Sequence, residues 1–150
     1  QAWTVENTNN NETWELVEVG GNGPGNTAAR INFREIFAIG QTDNLISQPL
    51  DLSEYAEAYL YFEHAYAKYY QEASDSLIIY ISADCGENWT RIFEGGDDGF
   101  GSFATHPLTE EGFVPEVQED WCGAGYGSDC NTIDISEWSG QKEVKIKFGT

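Results

Sequence analysis

Methionine is absent from the chain, and basic residues, histidine, cysteine and proline are all scarce. Seven Lys and Arg stand against 26 Asp and Glu, a formal net charge of −19. Phosphate backbones and anionic membranes are held by clustered Lys and Arg, so neither nucleic acid nor an anionic bilayer is an expected partner. No run approaches the roughly 20 apolar residues of a membrane-crossing helix, and direct membrane insertion is not expected. With two histidines and no Cys-x-x-Cys pair, zinc-type ligand spacing is missing. Gly-x-Ser-x-Gly and His-Glu-x-x-His are missing too, as is any Ser/His/Asp arrangement, which removes the common hydrolase signatures.

Acid, glycine and aromatics are abundant: 16 Gly, 5 Trp, 8 Tyr and 8 Phe in 150 residues. The acidity serves solubility, and it also suits a hard cation such as calcium, which takes oxygen ligands from Asp, Glu and Asn. The length fits one domain with a real core. Clean period-two alternation marks Thr132–Ser136 and Val144–Phe148, the aromatic-rich Tyr59–His64 also reads with period two, and Trp14–Val19, Ser76–Ile81 and Trp89–Phe93 read as further strands. About eight or nine short, turn-bounded strands follow, with no convincing helix, which predicts an all-β sandwich. Pro49 within Asp43–Leu52 cannot donate to a ladder and marks that stretch as an edge strand or a bulge. The start at Gln1 and the stop within the Glu143–Phe148 strand suggest a module excised from a longer protein.

The most specific local signal is Ser82-Ala-Asp84-Cys85-Gly86-Glu87-Asn88-Trp89, between two alternating strands. Asp84 is placed to accept backbone amides across a tight turn, and Gly86 to take a positive φ. Ser82 is placed to tie down the same loop, and Trp89 to fold back as a lid. These four residues predict a structural turn rather than an active site. Cys122 and Cys130 bracket a Gly-rich loop that a disulfide can close, leaving Cys85 over; pairing of Cys85 with either one is the alternative.

Glu63 and His64 occupy adjacent positions of one strand and face opposite ways, so they do not converge as an acid–base pair. Asp97 and Asp98, beside Glu94, read as a charged hairpin tip. Tyr59, Tyr61, Tyr66, Tyr69 and Tyr70 suit stacking on sugar rings or anchoring a protein partner. Polar flanks single out Tyr69 and Tyr70 as the exposed ligand-binding candidates.

A series of motifs now carries a resemblance: Trp3–Val5, the Glu6–Trp14 loop, Asp43–Ser53, Leu60–Tyr66, Asp75–Trp89, Phe113–Trp121 and Asp134–Ser136. In this order they resemble the jelly-roll accessory domains of Bacteroidetes secreted proteins, related to the cleaved adhesin domains of gingipains and more distantly to MAM-type sandwiches. The resemblance covers nearly the whole chain. It implies a jelly-roll sandwich of two antiparallel sheets, exported by the type IX system, non-catalytic, often calcium-binding and carried beside a peptidase, glycosidase or repeat region. It also implies a further terminal strand beyond Thr150. The Glu6–Glu12 loop stands where gingipain modules carry an Asp-rich calcium loop, with Asn10, Glu12 and Asp43 as candidate ligands. The expected function is an extracellular binding or adhesion module for a glycan or protein ligand. The alternatives are a carbohydrate-binding module using its exposed tyrosines, or a structural accessory domain next to a secreted peptidase or glycosidase, with the neighbouring domains of the parent chain as partners.

Overall fold

Alternating apolar and polar residues resolve into strands, and the computed structural model describes residues 3–22, 25–36, 40–72, 75–96, 103–124 and 126–150. Nine strands are present among them: β1 (Thr4–Glu6), β2 (Glu15–Glu18), β3 (Thr27–Arg30), β4 (Asn44–Ile46), β5 (Tyr59–Phe62), β6 (Ser76–Ser82), β7 (Thr90–Gly96), β8 (Asn131–Asp134) and β9 (Lys145–Gly149). Helical structure among the described residues is limited to single 3-10 turns at Phe33–Glu35, Gln118–Asp120 and Ser136–Trp138. The fold is all-β.

An antiparallel sheet in the order β1-β4-β9-β6-β7 forms the larger layer. Ile79 and Ile81 of β6 and Ile146 of β9 point inward, joined by Val144 and Ile135, and all five are buried. Full burial of each such side chain contributes about 1.5–3 kcal/mol. Leu60 and Phe62 of β5 and Ile133 of β8 close the core from the opposite layer. Phe62 meets Phe93 and Phe148 edge-on, with ring centroids 5.4 and 6.0 Å apart. That geometry suits the ring quadrupoles. The second layer is narrower than a full jelly-roll sheet, with β5 paired to β8 alone among the described residues. The remaining pair, β2–β3, forms its own ribbon.

That ribbon is docked by its turn. Gly20 N–H donates to Pro115 O at 2.9 Å, and the Trp121 indole donates to Gly20 O at 2.7 Å. Gly21 sits at φ +78, and a Cβ there would lie 2.0 Å from the Val117 carbonyl carbon, so only glycine fits this approach.

The structure decides between the two readings of Pro49. Its stretch is a bulge rather than an edge strand: β4 lies between β1 and β9, and the four residue steps from Ile46 to Leu50 stand opposite three from Lys147 to Val144. Pro49 falls after the paired residues, where its missing N–H costs no ladder bond, and pairing resumes at Leu50 opposite Val144. Glu94, beside the expected charged hairpin tip, lies within β7 together with Gly95 and Gly96.

Candidate functional site

β6 and β7 form the expected hairpin, and its turn is self-contained. Asp84 Oδ1 accepts the Asn88 amide at 2.8 Å and the Ser82 hydroxyl at 2.7 Å, while Oδ2 accepts the Asn88 side-chain amide at 2.6 Å. Ser82 Oγ in turn accepts Gly86 N–H at 2.8 Å. Cys85 (φ +62) and Gly86 (φ +100) both take left-handed backbone. A Cβ at Gly86 would stand 3.2 Å from the Trp89 ring, so the indole closes over the turn. The Asn88 backbone amide, then the Ser82 hydroxyl and the Asn88 side chain, hold the Asp84 carboxyl far below the usual carboxylate range. A carboxylate so fully engaged has no proton to offer and serves as a clamp. Lys147 Nζ lies 4.3 Å from the Trp89 ring centroid and 4.7 Å from that of Tyr80, tying the hairpin to β9 by cation–π contact.

Asp43 is the opposite kind of acid. It immediately precedes β4 and is fully buried. Its side chain accepts the Thr13 hydroxyl at 3.3 Å and the Gln41 amide at 2.9 Å, and the Trp14 indole donates to its carbonyl at 3.1 Å. All of these donors are neutral. The Gln41 amide nitrogen also lies 2.8 Å from Asn11 Oδ1 and 3.5 Å from Glu12 O. Three oxygens therefore converge on a nitrogen with two hydrogens. The neighbouring loop is knitted by its own asparagines: Asn7 Oδ1 accepts Asn10 N–H at 2.9 Å, and Asn9 Oδ1 accepts Asn11 N–H at 3.2 Å. Asn10 takes a left-handed φ of 58. Asn10 and Glu12 are exposed, and the polar contacts of the buried Asp43 come instead from Thr13, Trp14, Gln41 and Thr150. Gln41 and Asn11 have no sequence signal, being thirty residues apart and brought together only by the fold.

The tyrosines sort sharply. Tyr55, Tyr59, Tyr61, Tyr69, Tyr70 and Tyr126 are exposed, whereas none of the described phenylalanines is. Tyr69 and Tyr70 form an edge-on pair at 5.6 Å, and the Arg34 guanidinium covers one face of Tyr69 at 5.3 Å. Tyr59 and Tyr61, each 57% exposed, are more open than Tyr69 at 36% and Tyr70 at 51%. Tyr66 is half-buried, its hydroxyl 3.4 Å from Asp75.

Cys122 and Cys130 are joined by a disulfide, and Cys85 is free and exposed. The loop it closes is anchored to the end of β5: Cys122 N–H donates to His64 O at 2.9 Å, and His64 Nε2 meets Ser128 Oγ at 2.9 Å and Phe103 O at 3.1 Å. The His64 ring stacks on Phe103 at 4.0 Å, and its buried Nδ1 has no partner. Burial holds this imidazole below its usual pKa, against the opposing pull of the Phe103 carbonyl. Glu63 points the other way and accepts the Tyr61 hydroxyl at 3.1 Å.

A cavity of about 320 Å³ is bordered by His106, Glu111, Phe113, Glu116 and Asp120. Two of its polar groups are engaged locally: Asp120 Oδ2 accepts the Glu116 and Val117 amides, and His106 Nδ1 lies 2.7 Å from Pro107 O. Among the described residues no three His, Cys, Asp or Glu side chains cluster as a metal site. Asp97 and Asp98 lie outside the described residues; Glu94 pairs with Arg91 at 2.7 Å.

The architecture is an all-β sandwich. In particular, the chain is similar to the K2 cleaved adhesin domain of Lys-gingipain, at TM-score 0.59 and 17% identity over 97% of this chain and 79% of that one. It is also similar to the K1 cleaved adhesin domain of Lys-gingipain from Porphyromonas gingivalis, at TM-score 0.54 and 18% identity over 98% and 84%. At these identities the likeness is one of fold. No protein-family model and no curated protein matches the chain.

Proposed function

We propose that the chain is a non-catalytic binding or adhesion module that works outside the cell as part of a larger secreted or surface protein. The observation that carries this reading is the sorting of aromatics: none of the described Phe is exposed, while six of the eight Tyr stand on the surface. Exposed tyrosine gives large, rigid contact area at low entropic cost, which is why it is enriched at binding surfaces. The Cys122–Cys130 disulfide suits an oxidising extracellular compartment, and the fold is shared with adhesin domains. The test is a binding screen of the intact chain against glycan and extracellular-protein panels, run beside a turnover screen on peptides and polysaccharides. Specific binding without turnover is expected. Turnover lost on substitution of a single carboxylate would contradict the reading.

A carbohydrate-binding variant of this function is favoured at one place by the Tyr69–Tyr70 pair, whose second ring is not covered by Arg34. Tyr70→Ala should then abolish glycan binding; absence of binding at millimolar sugar removes this variant.

Calcium would be held at Asp43. A fully buried carboxylate with only neutral donors is costly unless a cation balances it. The residues fit such an ion in kind: one carboxylate, the Asn11 amide oxygen and the Glu12 carbonyl gather around the Gln41 nitrogen. When bound, the ion would neutralise Asp43 and staple the loop to β4. The melting temperature should then rise with calcium and fall with chelator, and Asp43→Asn should erase the shift. A calcium-independent melt contradicts this.

A further inference from the structure

The outer face of β5 has a composition that the core does not account for. Tyr59 and Tyr61 sit two residues apart on one strand, so their rings rise from the same face about 7 Å from each other. Both are more than half exposed. The ladder places Asp134 directly opposite Tyr59 and Thr132 opposite Tyr61. Glu63 continues the row and accepts the Tyr61 hydroxyl. The Ser136 side chain and backbone hold the Asp134 carboxyl below its usual range, so it stays charged.

None of the seven Lys and Arg residues lies on β5 or β8. Those nearest to aromatic rings elsewhere, Arg34 and Lys147, already lie over Tyr69, and over Tyr80 and Trp89. The β5 face therefore offers two open π-faces bordered by carboxylates, with no cation of its own strands to fill them. A ring face attracts ammonium or guanidinium groups, and a flanking carboxylate adds a counter-charge. The ionised Asp134 and Glu63 carboxylates only accept hydrogen bonds, which suits ammonium and guanidinium groups that only donate.

We propose that the Tyr59–Tyr61 face docks a basic polypeptide segment, seating Lys or Arg side chains on the two rings with Asp134 and Glu63 as counter-charges. The net charge of −19 favours the encounter at long range, and the rings supply the local discrimination. This rests on the reading of the chain as a binding module and gives that reading a partner class.

The probe is a short fluorescent oligo-arginine peptide, titrated by anisotropy at near-physiological salt. An acidic protein attracts polycations everywhere, so the readout is dependence on the rings at constant net charge. The dissociation constant should rise at least about tenfold in Tyr59→Ala/Tyr61→Ala, which removes two cation–π contacts. It should change less than about twofold in Tyr59→Phe/Tyr61→Phe, which keeps both π-faces. Glu63→Gln should weaken binding more than Glu110→Gln, which removes the same charge from an exposed site away from β5. Equal affinity of wild type and the double alanine variant would overturn the proposal, as would equal losses in the alanine and phenylalanine variants. Binding of a neutral oligosaccharide that vanishes in the same alanine variant would also overturn it, while leaving the binding-module reading intact. Circular dichroism melts of each variant separate loss of the site from loss of the fold.

Discussion

The two faces of β5 differ residue by residue. Leu60, Phe62 and His64 turn inward, against Phe93, Phe148 and Phe103. Tyr59, Tyr61 and Glu63 turn outward into solvent. One strand thus carries scaffold chemistry and binding chemistry on alternate residues, because the pleat sends neighbours to opposite sides. The inner row is held by packing that tolerates little change, and the outer row is free to vary. Substitutions on the two rows should therefore separate stability from binding.

The largest effect is expected inside. Phe62→Ala removes two edge-on aromatic contacts and leaves a void between the layers, and should cost about 3 kcal/mol in chemical denaturation. Denaturation energetics close to wild type would mean that β5 does not close the core. Next comes the disulfide at the end of the strand. Cys122→Ser opens a loop of eight-residue separation that is bonded to His64, and should cost about 2–3 kcal/mol, read as the gap between oxidised wild type and variant.

A smaller effect follows from pH. His64 is held neutral by burial, so its folded pKa lies below the unfolded value of about 6.5. Below that pH the unfolded chain takes up a proton that the folded chain refuses, and stability falls as pH drops from about 7 toward 5. The slope from this one group is at most about 1.4 kcal/mol per pH unit. Asp84 acts in a separate window: its depressed pKa adds stability above about pH 3.9 that is lost as pH falls further. Denaturant midpoints at stepped pH should show the first decline in wild type and not in His64→Gln. A flat profile in wild type from pH 7 to 5 would refute the role of His64.

Much of this was legible in the sequence because it is local. The alternation of Tyr59–His64 gave the facing of the strand, and Ser82, Asp84, Gly86 and Trp89 close a turn whose partners are all within a few residues. What escaped is what only long-range pairing creates. Pro49 signalled an edge or a bulge, and which of the two holds depends on β9, which joins β4 from a hundred residues away. Asp43 gave no sign that it would be fully buried, and Asn11 and Gln41 became its neighbours through the same closure. Tyr69 and Tyr70 drew notice for their polar flanks, yet flanking polarity says less about exposure than strand facing does, and Tyr59 and Tyr61 are the more open pair.

The most direct test of the central contrast is thermal and chemical unfolding of Tyr59→Ala/Tyr61→Ala beside Phe62→Ala. Exposed cross-strand residues contribute little, so the tyrosine variant should stay within about 1 kcal/mol of wild type while Phe62→Ala loses about three times as much. Equal losses would contradict the account, because the outer tyrosines would then belong to the scaffold and not to a binding surface.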